Sequence, residues 1–214
     1  MQRIYCISGM GADERIFTKL TIPGYELVPV KWAAYDKSDT LTSYARKLIK
    51  QIPEDKPILM GLSLGGMLSV EVGKIIPAKR IFLVSSAKTT KELPAIGQKS
   101  FLKSVIQKLP SGMFGHAGLM NTKMIGAESD EDRKLLVGMM HDTDPGFIKW
   151  SLGAVVGWSN TIYPEEVFHI HGTADRIIPA KNVHPDHWIN GGSHIMIYNR
   201  ANEVSRIISG CLSA

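Results

Sequence analysis

Short apolar runs alternate with amphipathic stretches along most of this chain, and this rhythm constrains its fold more than any other feature. Five runs, at residues 3–8, 25–32, 57–63, 80–87 and 167–172, are rich in Ile, Leu, Val and Phe. They lack the strict polar–apolar alternation of a half-exposed strand, so they predict strands buried on both faces, which is typical of a parallel sheet. Residues 187–190 are a weaker sixth candidate.

The stretches between these runs predict helices. Apolar residues recur at helical spacing over residues 40–52, 65–76 and 200–212. Strands that alternate with helices favour βαβ units joined by right-handed crossovers. The sequence therefore predicts an α/β fold with a parallel sheet of about six strands flanked by helices.

Residues 88–160 depart from this rhythm, because they carry helical patterns without a convincing strand. Residues 98–109 are amphipathic, Ser129 is a candidate N-cap before three acidic residues, and the Asp-Pro pair at 144–145 is a candidate helix start. We therefore expect a single domain over residues 1–214, in which residues 88–160 form a helical cap over one end of the sheet.

The composition excludes several classes of protein. The net charge of +5 is mild and the basic residues are dispersed, which argues against a nucleic-acid-binding protein. Cys6 and Cys211 make neither a disulfide framework nor a metal cluster. No segment has the pattern of a secretory signal or the length of a membrane span. We expect a cytoplasmic protein that binds neither nucleic acid nor membrane; its oligomeric state is left open.

The motif Gly61-Leu62-Ser63-Leu64-Gly65 lies between a predicted strand and a predicted helix. A serine in such a sharp turn takes a strained backbone conformation, and the residues two before and two after it must be small. The start of the helix behind Ser63 provides a field that favours negative charge. Ser63 is therefore the candidate nucleophile, although a glycine-rich turn with an unreactive serine remains the alternative.

A serine hydroxyl needs a nearby base, and the base needs a third group to orient it. Asp175 lies in a loop after the predicted strand 167–172, and His194 ends the motif Gly191-Gly192-Ser193-His194. Nucleophile, acid and base thus occur in the order Ser63, Asp175, His194. Glu92 is a distant second candidate for the acid.

These motifs resemble the α/β-hydrolase superfamily. The resemblance spans most of the chain and implies that Ser63, Asp175 and His194 are the catalytic triad. It also implies an oxyanion hole made by the backbone N–H groups of Met10 and Leu64. The chain departs from the family at Ser8, where a histidine is frequent.

Two further groups of residues are open to more than one interpretation. His169 and His171 alternate on a strand and could bind a metal with Asp175, but the spacing is wrong for such a site, and we expect packed or hydrogen-bonded histidines. Methionines and aromatic residues are frequent in the insertion and could line an apolar acyl pocket or fill ordinary core.

The resemblance implies a carboxylesterase-like serine hydrolase that needs no cofactor and no metal. Its expected partner is a small-molecule ester, cleaved through an acyl-enzyme on Ser63. Thioesterase, amidase, C–C hydrolase or lyase chemistry on the same triad is the alternative among enzymes. A non-catalytic receptor or interaction module with the same fold is the alternative outside enzymes.

Overall fold

The computed structural model describes residues 1–94, 105–106, 108–114 and 122–213, and six strands among them form one parallel sheet. The strands are β1 (Gln2–Ile7), β2 (Tyr25–Pro29), β3 (Ile58–Leu62), β4 (Arg80–Val84), β5 (Val167–Gly172) and β6 (His187–Ile189). Their order across the sheet is β2-β1-β3-β4-β5-β6, and every neighbouring pair is parallel. The predicted α/β architecture and the weak sixth strand are confirmed.

The helices follow the predicted pattern. They are α1 (Leu41–Ile49), α2 (Leu64–Gly73), α3 (Thr122–Ile125), α4 (Asp130–Asp142), α5 (Pro145–Val156), α6 (Met196–Asn199) and α7 (Ala201–Ser213). Short 3-10 helices lie at Glu14–Phe17, Thr90–Glu92, Ser111–Phe114 and Ala180–Asn182. Ser129 caps α4 and Asp144 caps α5, as predicted. The helix predicted over residues 98–109 lies mostly outside the described residues.

Side chains of successive strand residues enter two hydrophobic cores, one on each face of the sheet. In β1, Tyr5 and Ile7 join the core that α1, α2 and α5 cover, whereas Ile4 and Cys6 join the core under α6 and α7. Both faces of the sheet are therefore buried, which explains why the strands lack polar–apolar alternation.

The segment between β4 and β5 contains helices and no strand in the part of it that the structure describes. Its two ends meet, because the Asn160 side-chain amide donates to the Lys88 carbonyl at 2.9 Å and the Thr90 N–H donates to the Asn160 carbonyl at 2.9 Å. The treatment of residues 88–160 as a cap stays a prediction. None of the helices in the described ranges is long and apolar enough to cross a membrane.

Candidate active site

Ser63 lies at a sharp turn between β3 and α2. Its φ of 52° is in the left-handed region, which non-glycine residues rarely adopt. Two hydrogen bonds hold this strained turn: Ser63 N–H donates to the Val84 carbonyl at 3.1 Å, and Ser86 Oγ donates to the Ser63 carbonyl at 2.6 Å. The turn therefore presents the serine hydroxyl at the carboxyl end of the sheet.

Glycines surround this turn because there is no space for side chains. A Cβ at Gly61 would collide with the backbone of Gly65, and a Cβ at Gly65 would collide with the carbonyl of Ile7. These contacts confirm the predicted need for small residues two before and two after the serine. A Cβ at Gly66 would also collide with the side chain of Ser86.

The structure brings the three predicted triad residues into one hydrogen-bonded chain. Nε2 of His194 is 3.0 Å from Oγ of Ser63, and Nδ1 of His194 is 2.8 Å from Oδ2 of Asp175. His194 and Asp175 are buried, and Ser63 is partly exposed. Because the carboxylate can only accept, Nδ1 carries the proton and Nε2 is free to accept one from the serine.

The Asp175 carboxylate is fixed from two sides. Oδ1 accepts the backbone N–H groups of Ile177 at 2.8 Å and Ile178 at 2.9 Å. Burial by itself raises the pKa of this carboxyl, but the nearby histidines, His194 above all, and the Ile178 N–H outweigh it, so the pKa of Asp175 lies below its ordinary value. The acid is thus held ionised and in one orientation beside the base.

The loop after β1 packs directly against the serine turn. A Cβ at Gly9 would lie 3.5 Å from Cβ of Ser63, and Gly11 has a φ of 71° that favours glycine. Oγ of Ser8 donates to the Ala12 carbonyl at 2.9 Å and closes this loop. The Ser8 hydroxyl therefore supports the loop that contains Gly9 and Gly11.

A cavity of about 220 Å³ opens at Ser63 and His194. Those two are the only side chains with N–H or O–H groups among the described residues that line it, and no described charged side chain does. The remaining side chains are apolar: Met10, Ala12, Ile16, Leu62, Leu64, Met67, Leu93, Pro94, Ile125, Leu136, Met140, Leu152, Val155, Ile177, Ile178 and Ile195. A larger cavity of about 310 Å³ beside Tyr35 and Trp150 shares no lining residue with it.

The methionines and aromatic residues of the insertion that the structure describes mostly fill core, which is one of the two interpretations that the sequence left open. Met140 does line the cavity, but Met139 lies in the core under α6 and α7, and Met124 is half exposed. Phe147 and Trp150 pack with other aromatic rings in the core over α1 and α2. Aliphatic residues, with Met10 and Met67 from outside the insertion, supply most of the apolar wall. Met120 and the side chains of Met113 and Phe114 lie outside what the structure describes.

Two other acidic side chains, including the second candidate for the acid, have partners in local structure. Glu92, the second candidate for the acid, accepts the Lys88 backbone N–H at 2.5 Å, whereas the carboxylate beside Nδ1 of His194 is that of Asp175. Asp13 caps a 3-10 helix and pairs with Arg15. Within the described ranges, no group of three or more His, Cys, Asp or Glu residues could hold a metal ion.

Sequence reasoning missed the groups that support the triad. The N–H groups of Ile177 and Ile178 donate to Asp175, and the Ser86 hydroxyl donates to the Ser63 carbonyl. The positions of these donors depend on how the loops fold, which no motif indicates. His171 also lies close to the acid, with Nε2 at 3.5 Å from Oδ2 of Asp175. The sequence indicates His171 and Asp175 together only as part of a possible metal site.

Comparisons with known proteins support the fold. No protein-family model matches this chain, and no curated protein sequence is significantly similar to it. A thermophilic esterase aligns with 100% of the chain and 90% of its own length, with 16% identity and a TM-score of 0.71. A lipase-esterase related protein from Clostridium acetobutylicum aligns with 98% of the chain and 93% of its own length, at 17% identity and a TM-score of 0.70. The esterase EaEST from Exiguobacterium antarcticum covers 100% of the chain and 92% of its own length, at 14% identity and a TM-score of 0.69. Together with the order and direction of the six strands, these similarities show that the chain has the α/β-hydrolase fold.

Proposed function

We propose that this protein is a serine hydrolase that cleaves an ester, or a related acyl bond, of a small apolar substrate through an acyl-enzyme on Ser63. One observation carries this proposal: the hydrogen-bonded chain from Ser63 through His194 to Asp175 opens onto an apolar cavity. The esterases and the lipase-related protein with the same fold make ester hydrolysis the first chemistry to test.

The reaction begins when Ser63 Oγ attacks the substrate carbonyl and His194 Nε2 accepts its proton. The negative charge that develops on the carbonyl oxygen is stabilised by the backbone N–H groups of Met10 and Leu64. Leu64 is the first residue of α2, so its N–H has no partner within the helix. The positive end of the helix adds to this stabilisation.

The tetrahedral intermediate then collapses, and His194 donates its proton to the leaving alcohol. Water attacks the resulting acyl-enzyme with His194 as general base, and the carboxylic acid product leaves with Ser63 regenerated. Asp175 holds His194 in the reactive tautomer and stabilises its charged form. No cofactor takes part in these steps.

The cavity favours an uncharged, apolar substrate. Transfer of a charged group into the apolar part of the cavity, where no described side chain is charged, costs several kcal/mol. An aliphatic acyl or alcohol group instead gains about 0.8 kcal/mol for each buried methylene. We therefore expect kcat/KM to rise with acyl length in a series of 4-nitrophenyl esters until the chain fills the cavity.

The test is the hydrolysis of these esters by the wild type and by Ser63→Ala, with Ser209→Ala as the matched control in a distant helix. We expect Ser63→Ala to lower kcat at least 10³-fold and the control to leave it within about twofold. Equal activity of wild type and Ser63→Ala would contradict the proposal. Matched thioesters and amides then identify which acyl bond is preferred.

A further inference from the structure

Two buried histidines, His169 and His171, extend inward from the acid, and the proposed mechanism does not use them. Both lie on β5 and are completely buried. Nε2 of His171 is 2.9 Å from the carbonyl oxygen of Ile178, and Nδ1 of His171 is 3.2 Å from Nε2 of His169. Trp188 faces the His171 ring edge to face, with ring centroids 6.0 Å apart.

The partners of His171 determine where its protons lie. A carbonyl oxygen can only accept, so Nε2 of His171 carries a proton and donates it to Ile178. Burial lowers the pKa of His171 although Asp175 and Ile178 raise it, so the ring is neutral and its Nδ1 accepts from Nε2 of His169. The titratable groups that face these rings are Asp175 and His194 beside His171, and Lys88 beside His169.

His171 thereby connects to the donors that hold the acid. Its hydrogen bond fixes the carbonyl of Ile178, the same residue whose N–H donates to Oδ1 of Asp175. The Nε2 atom also lies 3.5 Å from Oδ2 of Asp175, the oxygen that pairs with His194. Loss of His171 would weaken both stabilising influences on the carboxylate.

We propose that His171 is a positioning residue that acts through Ile178 and Asp175 on the basicity of His194, with His169 as its buried partner. Hydrogen bonds to a carboxylate stabilise its ionised form and reduce its attraction for a neighbouring proton. Without His171, the carboxylate would bind the proton on His194 more strongly. The predicted effect on kcat/KM rests on the proposed function, whereas the predicted effect on the proton of His194 does not.

The test compares His171→Phe with His171→Gln and with the matched control His169→Phe. A glutamine amide can replace the donor on Nε2, whereas phenylalanine fills the space without a donor. We expect His171→Phe to move the acid limb of the kcat/KM profile upward by about half to one pH unit. One unit below the wild-type midpoint, kcat/KM then falls about three- to tenfold, while the plateau stays within about twofold. We expect the acid limb of His171→Gln and of His169→Phe to stay at the wild-type pH. In His169→Phe it stays because the Ile178 carbonyl by itself fixes the tautomer of His171.

The same pH shift is read by NMR from the ring signal of His194, which requires no turnover. If the wild type has no Ser63-dependent activity, the proposed function fails, and the NMR midpoint still decides the role of His171. An unchanged midpoint of the His194 signal in folded His171→Phe overturns the inference. If His171 only filled space in the core, its replacement would lower stability without moving this midpoint. If His171→Phe does not fold, His171→Asn replaces it, since its shorter amide does not reach Ile178. Equal midpoints for the Asn and Gln variants then overturn the inference.

Discussion

Replacement of Asp175 by asparagine tests whether the acid fixes the tautomer of His194. Oδ1 of Asp175 accepts two backbone N–H groups, from Ile177 and Ile178. In Asp175→Asn the amide carbonyl must take this place, because the amide NH₂ would otherwise face two donors at a cost of about 1–3 kcal/mol for each unmade bond. The NH₂ therefore points at Nδ1 of His194, which must give up its proton to accept.

The proton of His194 then lies on Nε2, where it blocks the transfer from Ser63. We expect kcat to fall by about 10⁴-fold, which corresponds to about 5 kcal/mol of lost transition-state stabilisation. The assay is steady-state hydrolysis of a 4-nitrophenyl ester, with circular dichroism to verify folding. Glu92→Gln is the matched control, since its amide oxygen can still accept the Lys88 N–H. A folded Asp175→Asn variant within tenfold of the wild-type kcat would refute the reasoning.

Three further predictions concern packing, pH and the cavity. Gly65→Ala places a methyl group against the backbone of β1 and should lower the free energy of unfolding by about 3 kcal/mol or prevent folding. In the control Gly210→Ala the methyl group meets no atom within 4 Å, so thermal melts should show a neutral or slightly stabilising effect. Burial depresses the pKa of His169 and His171 below the ordinary 6.5. The unfolded chain therefore binds more protons than the folded one as the pH drops below about 6.5. The free energy of unfolding in urea should then decrease by up to about 1.4 kcal/mol per pH unit for each histidine. The decrease should be less steep in His169→Phe, and equal slopes for this variant and the wild type would contradict the prediction. Leu136→Trp fills part of the cavity and should lower kcat/KM for octanoyl esters at least about tenfold, while kcat/KM for acetyl esters changes little. An equal loss of kcat/KM for both esters would count against an acyl group bound in the cavity.

The fold was accessible from the sequence because the four central strands, β1, β3, β4 and β5, each contribute side chains to two cores. Apolar residues at consecutive positions of β1 mark a strand covered on both faces, and the structure has the corresponding sheet. Element ends were less accessible. The run 80–87 ends as a strand at Val84 because Ser85 adopts a φ of 48°, which no sequence pattern indicated.

The candidate site was accessible at the residues whose motifs have a steric or chemical cause. Gly61 and Gly65 are required by close backbone contacts, and they mark Ser63 without knowledge of the fold. The supporting groups were not accessible, because the contacts of Ile178 and His171 depend on how the loop after β5 folds back. For a similar reason, the sequence left open which residues of the insertion line the cavity. Whether a methionine or a leucine of the insertion faces the serine depends on how its helices dock on the sheet.

Covalent labelling of Ser63 tests the central claim most directly. A fluorophosphonate reacts with an activated serine, which displaces fluoride and leaves a stable phosphonyl adduct that intact-mass measurement detects. We predict one adduct on the wild type and on Ser209→Ala, and none on Ser63→Ala or His194→Ala. Absence of an adduct on folded wild type, with both a small and a long-chain probe, would contradict an activated serine. A wild-type adduct that persists in Ser63→Ala would contradict the assignment of the nucleophile.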